Sequence, residues 1–134
     1  MLSFASLGSG SEGNSFLIKS NEVLIMIDCG FNFKETTKRL SHLNLAFSDI
    51  NHYFITHEHE DHIKAAPMIY KNENTRISST YGTAKRLGME KKFSLLNYDE
   101  VVNINDIKIK VIPVPHDAME PCHTPLSRIT LKLE

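Results

Sequence analysis

The sequence predicts an α+β domain, a mixed β-sheet with flanking helices, from three features of the 134-residue chain. Val23 to Ile27 is an unbroken apolar run of the kind found in a strand buried on both faces. Ile107, Ile109 and Val111 alternate with Lys108, Lys110 and Ile112, the period of a strand with one wet face. Strand-like segments dominate before Asp28, strands and helices mix after it, and two of the later strands end in histidine.

Taken in order, Leu2 to Leu7 opens as a strand, Gly8 to Ser15 is a loop of small residues, and Phe16 to Lys19 is the next strand. Ser20 and Asn21 turn the chain into the Val23–Ile27 run, which ends at Asp28. Phe33, Thr37, Leu40 and Leu43 follow helical spacing behind Asn32, a suitable N-cap, so the stretch to about Asn44, His42 included, predicts an amphipathic helix. Tyr53 to Ile55 is a short strand, and Ile63 to Lys71 has helical composition with Pro67 in its first turns. Arg76 to Ser79 predicts a strand, Tyr81 to Leu87 a helix closed by Gly88, and Val101 to Ile104 a further strand. Asn105 and Asp106 then turn the chain into the Ile107 strand, which ends at Pro113-Val114-Pro115-His116.

Composition removes several classes of function. At 41% hydrophobic and 23% charged, with formal charge −1, the chain has the balance of a soluble globular domain rather than a disordered one. No apolar run approaches the ~20 residues that span a bilayer, and the N-terminus lacks the pattern of a signal peptide, so no membrane and a cytoplasmic location are expected. Cys29 and Cys122 stand far apart with no CxxC, against a disulfide framework and against a cysteine zinc site. Near-neutral charge excludes a generally basic nucleic-acid-binding arm, so any nucleic-acid contact is local.

Chemistry concentrates at His57, His59, Asp61 and His62, an H-x-H-x-D-H pattern directly after a strand. Residues two apart in an extended segment project to one side, so His57 and His59 can aim at one point while a turn brings Asp61 and His62 to an adjacent one. One short loop can then feed two metal ions. Imidazole nitrogen with carboxylate oxygen suits zinc, manganese or iron. With seven histidines and six aspartates, the pattern arises by accident in a chain of this composition on the order of once in a thousand. A solvated polar loop does not explain why an apolar strand should end in three histidines. His116 also follows a strand, and if the two strands are neighbours in one sheet both ends fall on one edge, which with the cluster makes it the natural third nitrogen for the first metal.

Asp28 at a strand end, T-H-E-H-E-D-H at 56–62 and His116 together resemble the metallo-β-lactamase-fold hydrolases. L-G-S-G-S-E-G-N-S at 7–15 and V-P-H-D-A-M-E-P at 114–121 are similar to the YycJ/WalJ-like subgroup, and the resemblance runs to about Cys122. It implies a metallo-β-lactamase-type αββα sandwich with its metal site at one edge of the two sheets. It also implies His57, His59 and His116 on one metal, Asp61 and His62 on the other, and Asp28 orienting the ligand loop. The subgroup's activity is DNA exonuclease; the wider fold also hydrolyses lactams, thioesters, lactones and RNA. With that resemblance, Ser9, Ser11 and Asn14 in the glycine-serine loop are expected at the site, where backbone amides freed by glycines can approach a phosphate.

The family pattern continues with a carboxylate that bridges both metals and a final histidine, and neither has a counterpart in this sequence. Residues 1–122 are therefore expected to be the N-terminal part of such a domain, and 123–134 an atypical tail from truncation or an altered frame. The complete enzyme is expected to hold two divalent ions, of which this chain retains one or none.

In the complete form, a water activated by metal attacks a phosphodiester, with Asp61 orienting it and Asp28 or Asp117 accepting a hydrogen bond from the other ring nitrogen of a ligand imidazole. DNA is the expected substrate through local phosphate contacts, Lys64 being near the motif; Lys85, Arg86, Lys91 and Lys92 read more simply as a solvated face. Two alternatives stand beside this: a metallohydrolase of thioesters, lactones or lactams, and a noncatalytic fragment. His42 and His52 are expected to be structural, and Cys29 a small buried filler.

Overall fold

A computed structural model of the chain describes residues 2–57, 59–73, 75–114 and 129–134, the side chains of 72 and 73 excepted. Six strands form one sheet in sequential order: β1 (Ser3–Gly8), β2 (Ser15–Lys19), β3 (Leu24–Ile27), β4 (His52–Phe54), β5 (Arg76–Thr80) and β6 (Ser94–Leu96). The first three pair antiparallel and β3 to β6 pair parallel, so β3, β4 and β5 all end at the same edge. A second sheet of three antiparallel strands contains β7 (Val101–Ile104), β8 (Ile107–Pro113) and β9 (Ile129–Leu133). Asn105, with φ 53°, lets the two-residue turn between β7 and β8 close tightly.

Helices α1 (Phe33–Ser41), α2 (Glu60–Ile63), α3 (Ala66–Glu73) and α4 (Tyr81–Arg86) complete the described elements, with one 3-10 turn at Phe47–Asp49. The two faces of β3 show how the layers stack. Leu24 and Met26 join Leu40, Ile69 and Ala84 in the core beneath the helices, whereas Val23 and Ile25 join Ile107, Ile109 and Val111 between the two sheets. A strand covered on both sides must be apolar at consecutive positions, which is why Val23–Ile27 carries no alternation. β8, covered on one side only, keeps Lys108 and Lys110 on its outer face. This layering of helices on a mixed sheet over a second sheet is the expected α+β architecture.

Several elements differ from their sequence expectations. α1 stops at Ser41, with Asn32 accepting from the Glu35 amide and His42 as its C-cap, so Leu43 lies past the helix and is exposed. The buried face of α1 is Thr36 and Leu40 instead of Thr37 and Leu43. The expected single helix Ile63–Lys71 is two helices, α2 beginning within the histidine motif and α3 at Ala66, with Pro67 in its first turn. β6 and β9 have no counterpart in the sequence reading: β6 is only three residues long, and β9, whose Ile129, Leu131 and Leu133 alternate with Thr130 and Lys132, falls in the stretch expected to be an atypical tail.

Candidate metal centre

The C-terminal edge of β3 and β4 builds the site. At the end of β3, Asp28 adopts φ 62°, a left-handed conformation that aspartate tolerates better than branched residues. It is buried, and its carboxylate accepts from the Thr56 amide (2.8 Å), the Thr56 hydroxyl (2.7 Å) and Nδ1 of His62 (2.8 Å). A carboxylate opposite it only accepts, so in the neutral ring Nδ1 of His62 carries the proton and Nε2 the lone pair.

The next two residues hold the loop by backbone alone. Cys29 donates its amide to His62 (2.9 Å), and its carbonyl accepts from Ala65 (2.9 Å). Gly30 donates to the Asn14 carbonyl (2.9 Å), while the Asn14 amide donates to the Asp61 carbonyl (2.7 Å). Three backbone segments thus cross at Gly30, where an added Cβ would stand 1.8 Å from the Asp61 carbonyl oxygen. Only glycine fits this crossing. Burial, helped by the Asp28 charge, pushes the Cys29 thiol up, so it stays protonated and serves as filler.

His57, His59 and His62 converge as a result. The rings of His57 and His59 are 3.8 Å apart between centroids and those of His57 and His62 5.0 Å, with His62 Nε2 3.8 Å from Asp61 Oδ2. Asn14 Nδ2 donates to Asp61 Oδ2 (3.0 Å), to its carbonyl (3.1 Å) and to the Gly10 carbonyl (2.8 Å). Three imidazoles and a carboxylate, of which His62 is held by Asp28 and Asp61 by Asn14, have the chemistry of a divalent-metal donor set. Among the described residues, no three donors close into a metal-holding group.

The structure brings together His57, His59, Asp61, His62, Asp28 and Asn14. Ser9 and Ser11 are exposed in the loop between β1 and β2, which leans on Phe31: a Cβ on Gly13 would lie 2.6 Å from that ring. Arg39 stacks on the same ring at 3.9 Å and donates to the Leu7 carbonyl. His116 and Asp117 lie outside the described residues. The strands that precede His57 and His116 are not neighbours in one sheet as expected: β4 belongs to the first sheet and β8 to the second, which reaches the histidine loop where Pro113 pairs with Ile129 and the Ile129 amide donates to the Thr56 carbonyl (2.9 Å). Sequence reasoning missed Thr56 and Gly30. The threonine before the first histidine and the glycine two residues past Asp28 were the available signals.

A family model described as "Anti-Pycsar protein Apyc1" matches residues 4–74, more than half of the chain. Exodeoxyribonuclease YycJ of Bacillus anthracis is 30% identical over 128 residues, covering 90% of this chain and 48% of that protein. Exodeoxyribonuclease WalJ of Streptococcus pneumoniae serotype 2 (strain D39 / NCTC 7466) is 30% identical over 128 residues, covering 88% and 47% respectively. Among solved structures, Rm3 metallo-beta-lactamase superposes with TM-score 0.77 at 15% identity, covering 97% of this chain and 53% of that one. The chain spans about half the length of the curated relatives it matches.

Proposed function

This chain belongs to the Anti-Pycsar protein Apyc1 family and is a YycJ/WalJ-like protein of the metallo-β-lactamase fold, and from that premise we propose that it carries metal-binding residues of a phosphodiesterase that degrades DNA as an exonuclease. The observation that supports this best is the bracket at Asp28, which turns His62 toward the cluster formed by His57, His59 and Asp61. A donor set of neutral imidazoles and carboxylate suits zinc, manganese or iron.

His57 and His59, with His116, would hold one ion, and Asp61 with His62 the second. Bound divalent ions would supply positive charge that lowers the pKa of a water and polarises a phosphoryl oxygen. The chain's own residues do the rest. Asp28 keeps the proton on Nδ1 of His62, so Nε2 presents its lone pair. Asn14 holds one oxygen of Asp61, which leaves the other to accept a proton from the attacking water and orient it. Asp117 is assigned to accept from a ligand imidazole, and Ser9 and Ser11 to offer hydroxyl protons to a phosphate. Lys64, exposed just beyond α2, adds a cation for local contact with the DNA backbone.

Elemental analysis of purified protein beside His57→Ala, followed by turnover of bis-p-nitrophenyl phosphate, nitrocefin and a lactone with manganese, tests the proposal. Metal lost in the variant together with turnover of the phosphate diester alone is the expected result. Turnover of nitrocefin or the lactone without the diester would overturn it in favour of a small-molecule metallohydrolase.

One observation favours a second reading, a noncatalytic chain: although the rings of His57, His59 and His62 lie together, no three donors among the described residues are placed to hold an ion. One ion per chain and no hydrolysis of any of the three substrates would establish that reading.

A further inference from the structure

We propose that Tyr81 is the platform on which a nucleobase of the substrate stacks; the proposal rests on the reading of the site as a phosphodiesterase acting on DNA. β4 and β5 run parallel with Phe54 opposite Ser78, and the Ile55 amide donates to the Ser78 carbonyl. Three residues beyond Phe54 stands His57, and three beyond Ser78 stands Tyr81, so register delivers both to one edge of the sheet. Tyr81 is 52% exposed there, while the residues on either side of the turn are held: Thr80 and Thr83 are buried, and the Thr80 hydroxyl accepts from the Thr83 amide as the cap of α4. The other exposed aromatics stand elsewhere, Phe4 and Phe16 facing each other at 6.1 Å on β1 and β2, and Tyr98 between β6 and β7.

Lys85, one turn along α4, places its ammonium 5.8 Å from the Tyr81 ring centroid. A half-exposed aromatic ring with a cation over it matches a nucleotide, whose base offers a π-face and whose phosphate offers negative charge to draw the ammonium. Stacking is indifferent to base identity, so the platform would favour nucleic acid over simple phosphate diesters without imposing sequence preference. This accounts for a DNA contact in a chain of formal charge −1, since recognition is divided between one ring and a few local phosphate contacts.

The test measures binding, with turnover blocked. Fluorescence anisotropy in the presence of manganese compares a short phosphorothioate oligothymidylate with an abasic strand of equal length, for wild type, Tyr81→Ala and Tyr81→Phe. The expected preference of wild type for the base-bearing strand is about tenfold, lost in Tyr81→Ala and kept in Tyr81→Phe. Circular dichroism melts of the three proteins confirm that the fold is unchanged. A preference that survives in Tyr81→Ala, or equal binding of both strands by wild type, overturns the platform while leaving the phosphodiesterase reading intact. Binding of neither strand by wild type overturns both.

Discussion

Asp28 and His62, 34 residues apart, are joined by a 2.8 Å hydrogen bond from the imidazole Nδ1 to the carboxylate, and this contact orients a ring of the histidine cluster. The same carboxylate receives the amide and hydroxyl of Thr56, so it also fixes the residue from which the motif departs. One buried acid thereby sets both ends of the loop.

Asp28→Asn separates charge from shape, because asparagine also tolerates the left-handed backbone at φ 62°. The side-chain amide can accept only at its oxygen, so at least one of the three contacts with Thr56 and His62 is lost, and both of those made to Oδ2 if the amide nitrogen takes that place. Metal affinity is expected to fall by about 10- to 100-fold with little change in the fold, as for other groups that orient ligands. Isothermal titration with zinc measures it; an unchanged affinity would show that His62 does not depend on this contact.

Gly30→Ala is expected to destabilise the protein by about 1–3 kcal/mol or more, because the new methyl meets backbone rather than a side chain that can move aside. Urea denaturation gives the value. A variant as stable as wild type would mean that the crossing of residues 14, 30 and 61 relaxes freely.

The glycine-serine loop divides into two expected behaviours. Asn14→Ala removes the donor to Asp61 Oδ2 and should weaken metal binding several-fold, on the order of one lost charge-assisted hydrogen bond. Ser9→Ala with Ser11→Ala leaves metal stoichiometry unchanged and raises KM for a phosphodiester, since both hydroxyls are exposed away from the cluster's own hydrogen bonds. Loss of metal in the double serine variant would contradict this division.

His52 sets an acid limit on stability. It is buried between the sheets, its ring stacked on Phe54 at 4.6 Å and Nε2 2.8 Å from the Ser78 hydroxyl. Burial, with a smaller contribution from the Arg76 charge, lowers its pKa to about 4. The unfolded chain therefore binds a proton that the folded chain refuses between about pH 6.5 and pH 4, and stability falls as pH drops through that window. His52→Gln keeps a hydrogen-bonding group for Ser78 but cannot titrate, so its urea midpoint should depend less on pH over this range. Equal pH dependence in both proteins would remove His52 as the cause.

Much of the site is legible in the sequence, and for a local reason. H-x-H-x-D-H places its donors within six residues, so strand geometry and one turn are enough to predict that they converge. Asp28 and Asn14 were recognised through family resemblance, since nothing in their own neighbourhoods says that a partner lies 34 or 47 residues away. Gly30 was not recognised at all, because the reason for it is another segment's carbonyl passing at that point. The same holds for β6, whose three residues become a strand by pairing with Ser78–Thr80, whereas β9 carries its own alternation of Ile129, Leu131 and Leu133 with Thr130 and Lys132 and was passed over.

By itself the sequence determined the apolar periods of β3 and β8, the cap at Asn32 and the chemistry of the donors, because each depends on residues within a few positions of one another. Only the tertiary structure decided which nitrogen of His62 faces the cluster, which residue holds Asp61, and that Tyr81 shares an edge with His57. Those depend on strand register and on backbones crossing from distant parts of the chain, and such contacts form only when the whole sheet closes.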